Sequence, residues 1–217
     1  MYTPPPFKSD RAKAIAFAQA RGFATVCAWD GAKPVASALP FCLSFTDDGT
    51  PMASFHVARG NALAGLAGGK ARWLLAVNGP DAYVSPDWYV SPDQVPTWLY
   101  QAVHLTGTVS LMPEGELGAH LDALSANFES WLAPKPPWRV DKVSAGRREM
   151  LKKAIVGLVM TVEDIEGSFK LNQHKSDADH MAVATALAKQ DDVASRQIAG
   201  SMRGLRPKLF AGEAERV

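Results

Sequence analysis

The sequence predicts a mainly β protein in which about six strands, mostly antiparallel, form a small closed barrel decorated by helices. Three runs of β-forming residues, FATVCAW, PVASALPFCLSF and PMASFHVA, follow one another between residues 23 and 58. The turn dipeptides Asp30-Gly31 and Asp48-Gly49 separate them. Connections this short join antiparallel strands, whereas parallel strands need long crossovers. A sandwich of two sheets would show the same periodicity and is the rival architecture.

The first half of the chain gives four strands and two helices. Ser9 or Asp10 caps a helix that runs through AKAIAFAQA and ends at Arg21-Gly22, before the first strand. After the third strand, ARGNALAGLAGG predicts a short helix of small residues, and RWLLAVNG predicts the fourth strand. The segment GPDAYVSPDWYVSPDQVP, residues 79–96, is rich in Pro and Asp and is predicted to be an ordered loop.

The second half gives two long strands and four helices. TWLYQAVHLTGTVSLM is the fifth strand, with a bend at Gly107, and IVGLVMTVEDIEGSFKL is the last strand. Between them, ELGAHLDALSANFESWL has apolar residues at helical spacing, PKPPW breaks this helix, and a short helix follows around residues 147–153. Two alanine-rich helices close the chain. We expect one domain over residues 1–217, with a C-terminal helical extension at about 176–203.

Composition narrows the classes of function. The chain has 217 residues, of which 47% are hydrophobic, and its 23 basic and 22 acidic residues nearly cancel. This balance argues against a global attraction to nucleic acid or to a membrane, although a local patch is compatible with it. Cys27 and Cys42 are too few for a disulfide framework or a cysteine metal site. The sequence MYTPPPFKSD does not resemble a signal peptide, and no run is long enough to span a membrane, so we expect a soluble cytoplasmic protein.

The stretch HVARGN, residues 56–61, has residues suited to an anion. It joins the end of a strand to the start of a helix, where Arg59, the Asn61 amide and the first helical amides could hold a phosphate. The alternative is a capped helix with an arginine on the surface.

The stretch FKLNQHKS, residues 169–176, is the second candidate. Lys170, Gln173 and Lys175 come just before a helix, and lysines beside an amide suit a phosphate or the polar edge of a ring. The alternative is a solvated loop whose Ser176 caps that helix.

Other residue types give weaker signals. Aromatic residues cluster around residues 88–100, where they fill the edge of a core or an interface, or else wall a flat cofactor; they are Trp88, Tyr89, Trp98 and Tyr100. The five histidines, at 56, 104, 120, 174 and 180, have no metal-ligand spacing, and we predict no metal site. GxSxG, P-loop and GxGxxG motifs are missing from the sequence.

Several longer stretches occur together in one order: MYTPPPF, ASALPF, HVARGN, GPDAYVSPDWY, VPTWLYQAVHLTG and IVGLVMTVEDIEGSFKLNQHKS. In these stretches the chain resembles the PaiB family of FMN-binding proteins, also described as negative transcriptional regulators. The resemblance runs from Met1 to about Met202. It is most specific in VPTWxYQAVHxxG followed by IVGxxxxVEDIxxxxKLxQ.

The resemblance implies a split β-barrel like that of pyridoxamine-phosphate oxidases and other flavin reductases. Such proteins are usually homodimers with one FMN in each of two clefts at the interface. It also implies the residues that contact FMN. The phosphate would be held by Arg59 and Asn61, and the isoalloxazine edge would lie along the backbone at Leu39 and Pro40. His56 and Trp98 would lie near the ring, and Lys170, Gln173 and Lys175 would face the flavin or its phosphate across the interface.

The chain departs from the family pattern at Ala38, Asp81, Leu99 and His174, where relatives have His, His, Asn and Asn. Loss of buried amide or imidazole donors weakens or reshapes any site that they line. These four departures therefore allow weak FMN binding or a pocket for a different ligand.

Three functions follow from the resemblance. The first is a flavin-dependent redox protein, reduced by a nicotinamide or another donor. No side chain is required as an acid or base, and His56 is the candidate near the ring. The second is a transcriptional regulator, either linked to flavin binding or a non-enzymatic DNA-binding repressor, for which the sequence offers only the basic runs RREMLKK and MRGLRPK. The third is a haem-binding protein with His174 or His180 as an axial ligand.

Overall fold

The computed structural model describes residues 1–211, which form seven strands and five α-helices joined by loops and short 3₁₀ turns. The strands are β1 Lys8–Ser9, β2 Phe23–Trp29, β3 Pro34–Phe45, β4 Pro51–Ala58, β5 Arg72–Val84, β6 Thr97–Leu111 and β7 Ile155–Lys170. The helices are α1 Arg11–Arg21, α2 Glu116–Ser130, α3 Ala145–Lys153, α4 Asp177–Ala188 and α5 Val193–Leu205.

The strands pair in the order β1-β7-β4-β3-β2-β5-β6, and β7 also pairs with β6. The second pairing closes six strands into a ring, which is the arrangement predicted rather than the two sheets of a sandwich. Strand β4 is antiparallel to both of its neighbours, β3 and β7. The two-residue β1 lies outside the ring and pairs with the end of β7. The predicted class, mainly β with six antiparallel strands and peripheral helices, is confirmed.

Most predicted elements have the expected bounds because their local signals are strong. Asp10 begins α1, and its Oδ1 accepts a hydrogen bond of 2.8 Å from the amide of Lys13. Strands β2, β3 and β4 begin and end where the turn dipeptides predict. The short helix expected after β4 is a 3₁₀ turn over Ala62–Leu66.

The loop predicted at residues 79–96 is wrong at its beginning, because β5 continues to Val84. Pro80 and Asp81 suggest a turn, yet Ala82 and Val84 are buried while Asp81 and Tyr83 are exposed. This alternation is that of a strand with one buried face. The remainder of the segment is the predicted loop, with a 3₁₀ turn over Pro86–Trp88.

The chain divides into two compact units. Within the described residues, the first comprises Met1–Ala14, Asn78–Val103 and residues 166–211. Its core joins α4 and α5 to apolar side chains of β5 and β6, and includes Leu99, Val183, Leu187, Ile198 and Met202. Helices α4 and α5 occupy the region of the expected C-terminal extension; the assignment of one domain stays a prediction.

The second unit comprises Ile15–Val77 and His104–Ile165. Along β4, Ala53, Phe55 and Val57 are buried, while Met52, Ser54 and His56 on the opposite face are half-buried. Helix α2 approaches strand β7 at Gly157, where an added Cβ would lie within 3.3 Å of atoms of Met112 and Leu117. Within residues 1–211, no helix is long and apolar enough to cross a membrane.

Candidate functional site

Two histidines and a serine form a hydrogen-bonded chain in the second unit. Ser54 and His56 point to the same face of β4 because they are two residues apart. His120 of α2 covers both, with its Nδ1 3.2 Å from Ser54 Oγ and its Nε2 3.2 Å from His56 Nδ1. The imidazole rings meet edge to face, with their centroids 5.4 Å apart. His56, predicted to lie near the flavin ring, is therefore fixed by a helix that the sequence did not connect to it.

Burial favours the neutral form of both histidines. Burial lowers the pKa of His56, and burial together with the charge of His56 lowers the pKa of His120 to about 4. Because each contact needs one donor and one acceptor, the tautomer of His120 is tied to that of His56. The His56 Nε2 is then a donor or an acceptor, according to the direction of the chain. No group of three potential metal ligands occurs among residues 1–211.

Arg59 and Asn61 lie just after β4, as predicted, and both make local bonds. The Arg59 guanidinium donates from Nε to Lys153 O at 3.0 Å and from Nη2 to Ile155 O at 3.2 Å. These bonds fix the orientation of the exposed guanidinium and use two of its five N–H groups. The Asn61 Oδ1 accepts from the amide of Leu63, and its Nδ2 donates to Ser37 Oγ at 2.9 Å. The capped-turn interpretation thus applies to Asn61, whereas Arg59 retains donors.

Leu39 and Pro40 lie in the middle of β3, opposite Ala24 and Phe23 of β2. Both are half-buried. The structure thus places five of the predicted contacts in the second unit: Leu39, Pro40, His56, Arg59 and Asn61. Strand β3 pairs with β4 over Phe41–Phe45, just after Leu39 and Pro40.

The second candidate stretch is a tight loop between β7 and α4 in the first unit. Asn172 is buried and has a positive φ of 57°, a left-handed conformation that Asn tolerates. Gln173 closes the loop on itself, because its amide bonds Phe169 O and the amide of Leu171. Arg206 of the chain after α5 donates to the carbonyls of Gln173 and Lys175. The loop is therefore rigidly held, and Ser176 caps α4 as predicted, accepting from the amide of Asp179.

The two lysines of this loop contact neutral groups. Lys170 donates to Thr97 Oγ1 and lies over the Phe7 ring, and Lys175 donates to Gln94 Oε1 and lies over the Tyr89 ring. Neither forms an ion pair with a carboxylate in the part of the chain that the structure describes. Their positive charges are therefore not neutralised within residues 1–211.

The charge of the lysines acts on His174, which packs edge to face on Phe7. Burial, followed by the charges of Lys175 and Lys170, lowers the pKa of His174. Lys170 and Lys175 thus form one positive region around the imidazole of His174, whose neutral form they favour. These three residues are here called the basic loop, and an anion is the ligand that its two lysines suit.

Three more residues named in the sequence analysis lie in the first unit: Trp98, Tyr89 and His180. Trp98 is 54% exposed and meets Tyr83 edge to face. The Tyr89 hydroxyl bonds the side chain of buried Asn172. His180 is fully buried, and its two ring nitrogens face the carbonyls of Asn172 and Met202. Both nitrogens are engaged, so of the two histidines considered for haem only His174 is exposed.

Sequence reasoning missed the residues that hold the predicted ones in place. His120 and Arg206 have no local motif, since each acts on a residue at least 31 positions away. Of the four positions that depart from the family pattern, Leu99 is buried in the apolar core of the first unit. Ala38, Asp81 and His174 are exposed.

Comparison with known proteins agrees with these features. The family described as "Putative FMN-binding domain" matches residues 1–164. The chain belongs to this family of FMN-binding domains, which confirms the resemblance found in the sequence. Over 203 residues it is 34% identical to Protease synthase and sporulation protein PAI 2 of Bacillus subtilis (strain 168), covering 93% of this chain and 96% of that protein.

Solved structures support the fold. The chain matches the FAD and heme binding protein from Mycobacterium smegmatis with a TM-score of 0.56 and 22% identity, over 75% of this chain and 73% of that one. It matches the flavocytochrome Anf3 from Azotobacter vinelandii with a TM-score of 0.53 and 16% identity, over 74% of this chain and 67% of that one. At these identities the likeness concerns the fold alone.

Proposed function

We propose that this protein binds FMN and acts as a flavin-dependent redox protein. The observation that carries the proposal is the basic loop: two lysines bound to neutral oxygens in a chain that belongs to an FMN-binding family. A phosphate dianion needs charge-assisted donors, and such donors are most effective when no carboxylate competes for them. The flavin, when bound, supplies the electron transfer; the protein supplies position and electrostatics.

The proposed roles of the residues follow from their contacts. Lys170 and Lys175 attract the phosphate or the polar edge of the flavin, and Gln173 keeps their loop closed. Arg59 offers its remaining N–H groups from an orientation fixed by two carbonyls. Asn61 is proposed to hold the turn after β4 in place, since its side chain accepts from the amide of Leu63 and donates to Ser37 Oγ.

The flat ring needs an apolar wall with a few polar contacts at its edge. Leu39 and Pro40 are proposed to supply backbone contacts, and Trp98 is an exposed aromatic surface suited to stacking. His56 is proposed to offer its Nε2 to the ring, as a donor or an acceptor set by His120. We further propose a homodimer with FMN at its interface.

The first test is a visible spectrum of the purified full chain before and after FMN is added, with mass spectrometry of heat-released material. We expect saturable spectral changes at one FMN per chain. The double variant Lys170→Gln, Lys175→Gln should weaken FMN binding by about a hundredfold, since each charged contact contributes on the order of tenfold. Arg59→Gln should weaken it about tenfold.

Exposed lysines elsewhere serve as matched controls. Lys33→Gln in the β2–β3 turn and Lys189→Gln after α4 should leave FMN affinity unchanged, because both side chains are exposed and neither is among the proposed FMN contacts. An FMN spectrum that the protein does not perturb would overturn the proposal. If FMN binds, NADPH oxidation tests the redox role.

The alternatives give different results in the same experiment. A Soret band would favour haem, for which His174 is the exposed candidate ligand, and His174→Ala should then lose it. Binding to a promoter duplex that falls steeply with salt would favour a repressor.

A further inference from the structure

A cavity of about 620 Å³ lies in the second unit between α2, α3 and the start of β7. Its volume is within the range of small-molecule sites. None of the nine predicted flavin contacts is among the residues that line it. Most of its wall is apolar, with Leu121 of α2, Val140 and Val143 of the connecting segment, and Ile155 of β7. Trp138 adds an indole that is 38% exposed.

Positive charge is concentrated beside this cavity. Residues 139–153 contain six basic and two acidic residues, while the remaining 202 residues contain 17 basic and 20 acidic residues. The chain is almost neutral, so this short segment stands out from a slightly acidic background. An anionic ligand would be attracted to it.

The charged residues that line the cavity differ in their ion pairing and in their exposure. Glu149 and Lys152, one turn apart on α3, form an ion pair of 2.6 Å at the surface. The hydrogen bond from Lys152 lowers the pKa of Glu149, and the charge of Arg148 also helps to lower it. Arg148 is half-buried, lines the same cavity and makes no ion pair with a carboxylate in residues 1–211. Asp122 on the opposite helix is exposed, so water screens it more effectively. Arg148 is the group in the cavity best placed for an acid.

We propose that this cavity binds an amphiphilic organic anion, with its apolar body against Leu121, Val143 and Trp138 and its acid group on Arg148. An apolar wall contributes affinity in proportion to the area it covers, and a guanidinium contributes charge-assisted hydrogen bonds to a carboxylate. Arg59, proposed to contact FMN, donates to the carbonyl of Ile155 at the edge of this cavity but does not line it. The proposal does not depend on FMN binding.

The test is calorimetric titration of the full chain with decanoate, and with 1-decanol as the neutral ligand of the same length. We expect one decanoate per chain and decanol at least tenfold weaker. Arg148→Gln should weaken decanoate by about tenfold or more and leave decanol unchanged. Arg147→Gln is the matched control, because Arg147 is adjacent on α3 but does not line the cavity.

A second variant fills the cavity. Gly118 on α2 lines it, and a Cβ added there meets no atom within 4 Å, so Gly118→Leu should fold and occupy the space. It should abolish binding of both ligands, whereas Gly146→Leu on α3, which also has open space but does not line the cavity, should not. Equal affinity for decanoate and decanol, unsaturable binding, or binding unaffected by Gly118→Leu would overturn the proposal. FMN affinity of Gly118→Leu should equal that of the parent, whichever way the decanoate result falls.

Discussion

Asp179 shows how a single side chain fixes a loop. Its carboxylate on α4 accepts from the amides of Val90 and Ser91 and from Ser91 Oγ, at 2.9, 3.0 and 2.7 Å. Hydrogen bonds from Ser91 above all lower the pKa of Asp179 to about 2. A buried carboxylate bound this way ties the loop after β5 to α4.

We expect Asp179→Ala to destabilise the protein by about 2–3 kcal/mol, because the two amides lose a charged acceptor. Since the folded pKa is depressed, the contribution is present above the ordinary carboxyl pKa and is lost as the pH falls from about 4 towards 2. Urea unfolding at pH 7 and at pH 3 measures both effects. Asp177→Ala is the control: this exposed residue pairs with Arg206, and its loss should cost under about 1 kcal/mol.

His120 predicts a second pH dependence of stability, caused this time by a base and not by a carboxylate. The pKa of this base is lowered to about 4 in the folded protein, so the unfolded chain takes up a proton first as the pH falls. Stability is therefore full above about pH 6.5 and declines towards pH 4. Between pH 7.5 and pH 5 the expected loss from this residue is about 2 kcal/mol.

The measurement is the urea midpoint of the parent and of His120→Gln at pH 7.5 and pH 5. The variant should be less stable at pH 7.5, yet lose less stability on acidification, because one titrating group is gone. His174→Gln in the exposed basic loop should change the slope less. If His120→Gln and the parent lose the same stability on acidification, His120 is not the cause of the pH dependence.

At the scale of elements, the close approach of β6 and β7 depends on a glycine. A Cβ added to Gly107 would lie 1.9 Å from Thr161 O, and backbone cannot move aside as a flexible side chain can. Gly107→Ala should therefore destabilise the protein by more than about 3 kcal/mol or prevent folding. Thermal unfolding tests this, with Gly118→Ala in α2, where a Cβ has open space, as a neutral or slightly stabilising control. Equal stability of Gly107→Ala and the parent would contradict the predicted clash.

Elements bounded by clear turn or helix-capping residues could be predicted from the sequence. Asp30-Gly31 and Asp48-Gly49 define the ends of β2, β3 and β4, and Asp10 and Ser176 begin their helices. The end of β5 was missed because Pro80 and Asp81 are turn residues, while the alternation of Ala82 and Val84 is too short to outweigh them. Pairing within the sheet, and not local propensity, determines where β5 ends.

The site was predictable only where its residues are neighbours in sequence. Lys170, Gln173, His174 and Lys175 lie in one loop and could be found together. His56 and His120 are 64 positions apart, and their contact requires the docking of α2 on β4. The cavity beside Arg148 likewise depends on the placement of α2 and α3, which no local pattern encodes.

For the whole molecule, the single chain leaves large apolar side chains uncovered. In the second unit, Phe23, Trp29 and Phe45 are 47%, 55% and 44% exposed. Large exposed apolar groups of this kind are what a partner subunit covers. They support the proposal of a homodimer, which the family resemblance implies and which sedimentation can test.

We expect sedimentation to give about twice the 23.3 kDa of one chain at micromolar concentration. If FMN lies at the interface, its binding and dimerisation are linked, and each must strengthen the other. FMN affinity should then fall when the protein is diluted below its dimer dissociation constant, and added FMN should shift the monomer–dimer equilibrium towards the dimer. Fluorescence of released FMN over a dilution series measures the first effect, and sedimentation with and without FMN measures the second. A 23 kDa species that binds FMN with the same affinity at every protein concentration would show that one chain holds the cofactor alone.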